Sequence, residues 1–136
     1  MARDQILVVE DNPKNMTLLR DVLRATGYRT LEASTAGEAL TLATDHRPAL
    51  VLMDIRLPDT DGVEALRRLR LDAHTASIPV LAVTAQAMKG DDERFKEAGF
   101  DGYLTKPIDV DVLLSTVARY AVQGPADQPA RAEGDC

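Results

Sequence analysis

A chain of 136 residues with 45% hydrophobic content suits one domain around one core and leaves no room for two. Its formal charge of −6 argues against non-specific nucleic-acid binding, which needs clustered lysine and arginine. No apolar run is long enough to span a bilayer, and Met1 to Gln5 lead straight into a strand pattern without a signal peptide, so a cytoplasmic protein is expected.

In chain order, Ile6-Leu7-Val8-Val9 predicts a short buried strand ending in Glu10-Asp11-Asn12. Pro13 then falls in the first turn of a helix capped by Asp11 or Asn12, with Met16, Leu19, Val22 and Leu23 on one face and Gly27 as its stop. Tyr28 to Glu32 gives a second strand. Thr35 and Glu38 form a capping box for a helix that turns Ala36, Ala39, Leu40 and Ala43 inward, and Pro48 closes the connection.

Ala49 to Met53 is an unbroken apolar run of strand length. Without alternation it reads as a strand buried on both faces, hence a parallel sheet covered by helices on each side. Asp54 ends it at the carboxyl edge, where open α/β sheets place their ligands, and Pro58 with Asp59-Thr60-Asp61-Gly62 turns the chain away. Taken alone, Asp54 is equally readable as a cap or turn residue.

Val63, Leu66 and Leu69 space a third helix, supported by Glu64 and Arg68 at i,i+4. Pro79 to Val83 is a further buried strand ending in Thr84-Ala85. A short helix from about Gly90 to Ala98 follows, with Asp91, Asp92 and Glu93 at its favourable N-terminal end. Gly102 to Thr105 is the fifth strand and ends in Lys106-Pro107, before a last helix carrying Val110, Leu113, Leu114, Val117 and Ala121. Residues 4–123 thus form the domain, and 124–136, without a large apolar residue, read as a disordered tail.

Five βα units predict a doubly wound, flavodoxin-like α/β sandwich with a five-stranded parallel sheet. The order 2-1-3-4-5 follows by fold analogy. In that order Glu10, Asp11 and Asp54 converge at the carboxyl ends of the first and third strands, and Thr84 and Lys106 reach the same crevice. Three converging acids repel unless something compensates, and a hard divalent cation, Mg²⁺, is the simplest compensation. The two histidines, His46 and His74, lie away from the strand ends and make no zinc set. The lone Cys136 cannot form an internal disulfide.

Acids, a hydroxyl and one ammonium around a cation describe a site for a phosphoryl group. Each residue alone also reads as a cap, turn or solvated terminus; it is their coincidence at four strand ends that points to chemistry. The Gly-rich turn of a dinucleotide fold, a P-loop and a Gly-x-Ser-x-Gly elbow are all absent from the sequence.

The pieces Val9-Glu10-Asp11-Asn12, Met53-Asp54-Ile55-Arg56-Leu57-Pro58, Val83-Thr84-Ala85 and Thr105-Lys106-Pro107, at intervals of 43, 30 and 22 residues from Asp11 to Asp54, Thr84 and Lys106, resemble the receiver domain of two-component response regulators. The resemblance runs from Gln5 to Val122. It implies Asp54 as phosphoacceptor, with Glu10, Asp11 and the backbone carbonyl of Arg56 joining Asp54 around Mg²⁺, for which Mn²⁺ can substitute. It further implies that Thr84 and Lys106 contact the phosphoryl oxygens, that Tyr103 changes rotamer on activation, and that the Lys106-Pro107 bond is cis.

Within the family, Asn12-x-x-Asn15-Met16, Val80 to Asp91 with Glu93-Arg94, and Tyr103 to Ile108 are similar to a single-domain cell-division regulator. With no output module expected in the residues after Val122, the signal passes to a protein effector or along a phosphorelay. The expected donor is a histidine kinase or phosphotransfer protein, and the regulator is a monomer or weak dimer, recruited where a membrane or polar kinase complex requires it. It would catalyse its own phosphorylation and slow dephosphorylation without turning over external substrates. The rival class is an interaction module in which phosphorylation is vestigial and the fourth helix, fifth strand and last helix bind the partner. A small phosphatase fits poorly, because Ile55 and Arg56 offer no second general acid.

Overall fold

The computed structural model describes residues 2–85 and 91–122. Strands β1 (Ala2–Val9), β2 (Arg29–Ala33), β3 (Pro48–Asp54), β4 (Val80–Thr84) and β5 (Gly102–Thr105) alternate with helices α1 (Pro13–Ala25), α2 (Ala36–His46), α3 (Gly62–Leu71), α4 (Asp91–Ala98) and α5 (Val110–Val122). The sheet is all-parallel in the order β2-β1-β3-β4-β5, as expected. The tail, Cys136 and the Lys89-Gly90 stretch lie outside the described residues, as do the side chains of Asp91, Asp92 and Ala121.

All seven residues of β3 are buried, which is what a central strand covered on both faces requires. Alternate strand side chains enter two separate cores. Leu7, Val9, Val51, Met53, Val80 and Ala82 meet Ala36, Ala39 and Ala43 of α2, Leu66 and Leu69 of α3 and Phe95 of α4. On the other face, Ile6, Val8, Leu50, Leu52, Leu81 and Val83 meet Leu19 and Leu23 of α1 and Leu113 and Val117 of α5. Small alanines on α2 let that helix lie close to the sheet, and each fully buried leucine is worth about 1.5–3 kcal/mol of transfer free energy.

Several local expectations shift. The cap of α1 is Asn12, whose side chain accepts from the Lys14 and Asn15 amides at 2.9 and 3.2 Å, so Asp11 is not needed as a cap. The second strand begins at Arg29, because Gly27 (φ +107°) ends the helical turn and Tyr28 tucks against the α1 face. Pro48 is the buried first residue of β3 rather than part of the connection. Thr35 caps α2 through the Glu38 amide, but the Glu38 carboxylate turns to the Ser34 amide and hydroxyl, one residue before the position a capping box uses.

Val63 is 42% exposed, and Gly62, Ala65, Leu66 and Leu69 form the buried stripe of α3. Gly62 packs directly on the β3 end: a Cβ there would stand 2.6 Å from the Asp54 carbonyl oxygen. With 62 facing inward, 63 is turned about 100° out of the core. Val110, in the first turn of α5, is likewise exposed.

Candidate functional site

Register brings the polar strand ends together. Val9 pairs with Met53, so Glu10 follows β1 beside Asp54; Asp54 pairs with Val83, placing Thr84 one step further out, and Thr84 pairs with Thr105, after which comes Lys106. The backbone continues these ladders beyond the strands, with the Ile55 amide donating to the Val83 carbonyl and the Lys106 amide to the Thr84 carbonyl. The Lys106-Pro107 bond is cis, as the resemblance implies.

The result is a cleft of about 730 Å³ whose walls include Glu10, Asp11, Asp54, Arg56, Thr84 and Lys106. Carboxylate oxygens of Glu10, Asp11 and Asp54 all lie within 4.8 Å of one another. Glu10 and Asp54 are buried at 2% and 5% exposure, whereas Asp11 is exposed at the rim. The Lys106 ammonium donates to Asp54 Oδ2 at 3.0 Å. It also forms an ion pair with Glu10 Oε1 at 3.0 Å, and no other described residue bonds that buried oxygen. Backbone amides supply the remaining partners, Asn12 to Glu10 Oε2 and Arg56 to Asp54 Oδ1, both at 3.1 Å.

Burial is the main force raising the Glu10 carboxyl above its ordinary pKa; Lys106 opposes it and the neighbouring Asp54 adds to it. Burial alone would lower Lys106, but Glu10 and then Asp54 outweigh it and hold the ammonium above its ordinary value. Lys106 is therefore a permanent cation that balances one of three acids. The donor set contains oxygen and no sulfur or imidazole, one buried oxygen has only the Lys106 ammonium beside it among the described residues, and one acid is open to solvent. Such a set fits a hard divalent cation that keeps some of its water.

Tyr103 is not part of the cleft wall. Its ring packs on Phe95 of α4 with centroids 5.6 Å apart, is 37% exposed, and borders a separate groove of about 270 Å³ with Pro107, Ile108 and Val112. His46 and His74 stand outside the cleft; the His74 ring contacts Asp72 at 3.2 Å. Asn15 and Arg94 also line the cleft, a placement the sequence did not reveal. Asn15 could have been found from its position in the first turn of α1 after Glu10-Asp11, whereas Arg94 depends on how α4 packs.

Residues 6–118 match the response regulator receiver domain family. The chain belongs to that family. This receiver is 47% identical over 115 residues to the polar-differentiation response regulator DivK of Brucella anthropi, covering 85% of this chain and 94% of that one. The DivK of Brucella ovis is 46% identical over the same coverage. Among solved structures, the receiver resembles that of the sensor histidine kinase PA1611 from Pseudomonas aeruginosa, with 38% identity and a TM-score of 0.79 over 86% of this chain and 96% of that one. That neighbour has a magnesium ion coordinated in its active site cleft. Vibrio cholerae CheY4 superimposes with a TM-score of 0.80 at 26% identity, over 85% of this chain and 97% of that one.

Proposed function

We propose that this receiver accepts a phosphoryl group on Asp54 from a histidine kinase or phosphotransfer protein and signals by phosphorylation-dependent protein binding. The observation that carries the reading is the convergence of Asp54 with two further acids and Lys106 in one open cleft. An Asp54 carboxylate oxygen attacks the phosphorus of the donor phosphohistidine in line, the P–O bond forms as the P–N bond breaks, and the imidazole leaves with the bonding pair and takes up a proton. Lys106 already faces Asp54 Oδ2 and is positioned to transfer its hydrogen bond to a phosphoryl oxygen.

Glu10, Asp11, Asp54 and the Arg56 carbonyl would hold Mg²⁺, or Mn²⁺ in its place. When bound, the cation supplies charge neutralisation for the transferring oxygens. The neighbour with magnesium in its cleft supports this assignment. Thr84 hydroxyl and Lys106 would then share the phosphoryl oxygens. Among the described residues no helix is long and apolar enough to cross a membrane, and we place the protein in the cytoplasm with recruitment to a kinase complex at the membrane or cell pole. Incubation with a radiolabelled phosphohistidine donor should label wild type and not Asp54→Asn; equal labelling would remove Asp54 from this role.

A second reading is supported by the apolar surface that Tyr103, Val110 and Val112 expose beside the β5–α5 groove. It treats that surface as the functional part, with phosphate irrelevant to binding. Equal partner affinity for Asp54→Asn and phosphorylated wild type would favour it.

A further inference from the structure

The tip of the β3–α3 connection is fastened to a helix that follows a different strand. Asp59 reaches back across 23 and 22 residues of sequence to accept from the Ala36 amide at 2.9 Å and the Gly37 amide at 3.1 Å, the first two of α2. The first four amides of a helix have no partner within it. In α2 the Ala39 amide makes the first intrahelical bond, to the Thr35 carbonyl, and the Glu38 amide is taken by the Thr35 hydroxyl, so the two bonds from Asp59 satisfy the amides of Ala36 and Gly37 that the helix leaves open. A carboxylate at a helix N-terminus also faces the positive end of the helix dipole. The Ala36 amide above all, then that of Gly37, holds the Asp59 carboxyl below its ordinary range against the opposing effect of burial.

Within the connection the backbone is a small rigid unit. Arg56 and Asp61 form an antiparallel bridge, the Leu57 amide donates to the Thr60 carbonyl, and the Gly62 amide closes on the Ile55 carbonyl at 2.7 Å. Movement at Asp59 is therefore passed to Arg56, whose amide also binds Asp54 Oδ1.

We propose that Asp59 is a positioning residue which, by latching residues 55–61 to the start of α2, holds the Arg56 carbonyl at the cation seat and so sets the affinity of the cleft for Mg²⁺. This rests on the assignment of that carbonyl as a ligand in the function proposed above. The role differs from a stability role in its consequences: stripping another cap from α2 without touching the latch loosens the helix and leaves the cation seat intact.

Calorimetric titration with Mg²⁺ of the folded full chain, well below its melting temperature, compares wild type with Asp59→Ala, Asp59→Asn, Thr35→Ala and Asp11→Ala. Asp59→Ala is expected to bind Mg²⁺ about tenfold more weakly, the scale seen when a group that orients a metal ligand is removed. Asp59→Asn keeps one acceptor and falls between. Thr35→Ala lowers the melting temperature and keeps the wild-type affinity. Without metal, hydrogen exchange at the Ala36 and Gly37 amides accelerates in Asp59→Ala. Wild-type affinity in Asp59→Ala, or equal weakening in Thr35→Ala, would overturn the latch. If Asp11→Ala abolishes binding in that event, the cation assignment stands without it; if wild type itself binds no Mg²⁺, both fall.

Discussion

At the residue scale, the site is governed by how much charge can be tolerated where three carboxylates meet. Glu10 is raised by burial and Asp11 is open, so a cation entering the cleft relieves repulsion that the unfolded chain never experiences. Mg²⁺ at a concentration well above its dissociation constant should raise the melting temperature of wild type, since the proposed seat exists in the native form alone. The rise should nearly vanish in Asp11→Ala; an undiminished rise would place the cation elsewhere. Glu64 makes the opposite case on the surface. Arg67 at 2.6 Å and Arg68 at 3.1 Å lower its carboxyl from 4.5 to about 2. A depressed acid contributes stability above its unfolded pKa and loses it as pH falls through its folded value. Glu64→Gln should therefore melt below wild type at neutral pH, with the gap closing between pH 4.5 and about 2. A gap independent of pH would show that the ion pairs contribute nothing. Asp54 and Glu10 were legible in the sequence because each ends a recognisable apolar run, and Lys106 because it follows the short fifth strand as one of only four lysines. Asp59 was read as a turn residue, since no local pattern announces a bond to an amide 23 residues earlier.

At the scale of elements, the end of the sheet opposite the cleft is held by another side chain that periodicity could not identify. Arg70, near the end of α3, donates to the Ala76, Ile78 and Gly99 carbonyls and to Asp101, at 3.0, 2.6, 3.0 and 3.1 Å. The Asp101 carboxylate in turn accepts from the Val80 amide at 2.8 Å. One guanidinium thus joins α3, the lead into β4 and the turn into β5. Arg70→Ala should cost about 2–3 kcal/mol, the value of charged hydrogen bonds to groups left partly buried. Arg70→Lys should recover less than half, because an ammonium lacks the planar fork. Urea unfolding midpoints measure both, and a loss near zero would make the clamp ornamental. The exposure of Val63 has a similar cause. Helix period predicts a face, but the phase of that face is set by tertiary contacts such as Gly62 against the Asp54 backbone. On β4 and β5, a phosphoryl group at Asp54 would draw the Thr84 hydroxyl inward and open room for Tyr103. A charged hydrogen bond of about 1.5–3 kcal/mol shifts a two-state balance about ten- to a hundredfold. Thr84→Ala should then accept phosphate yet lose most of the gain in partner affinity produced by beryllofluoride. A full gain in the variant would send the signal by another route.

At the scale of the molecule, a parallel sheet converts strand ends scattered over nearly a hundred residues into one cleft. Polar residues at four strand ends were visible in the sequence, but their convergence required the order 2-1-3-4-5. That order came from fold analogy because apolar strands carry no label of their neighbours; the hydrogen-bonded ladders now fix it. The buried seven-residue β3 gives Asp54 a rigid base, and Lys106 and Glu10 approach it from the two neighbouring directions of the sheet. The role of Asp54 is tested most directly by locating the phosphoryl group after transfer from a phosphohistidine donor, by peptide mass spectrometry following rapid quenching with borohydride reduction. Wild type should carry a reduced acyl phosphate at residue 54, and Asp54→Asn none. A phosphoryl group found on another residue of wild type, with Asp54 untouched, would contradict that role.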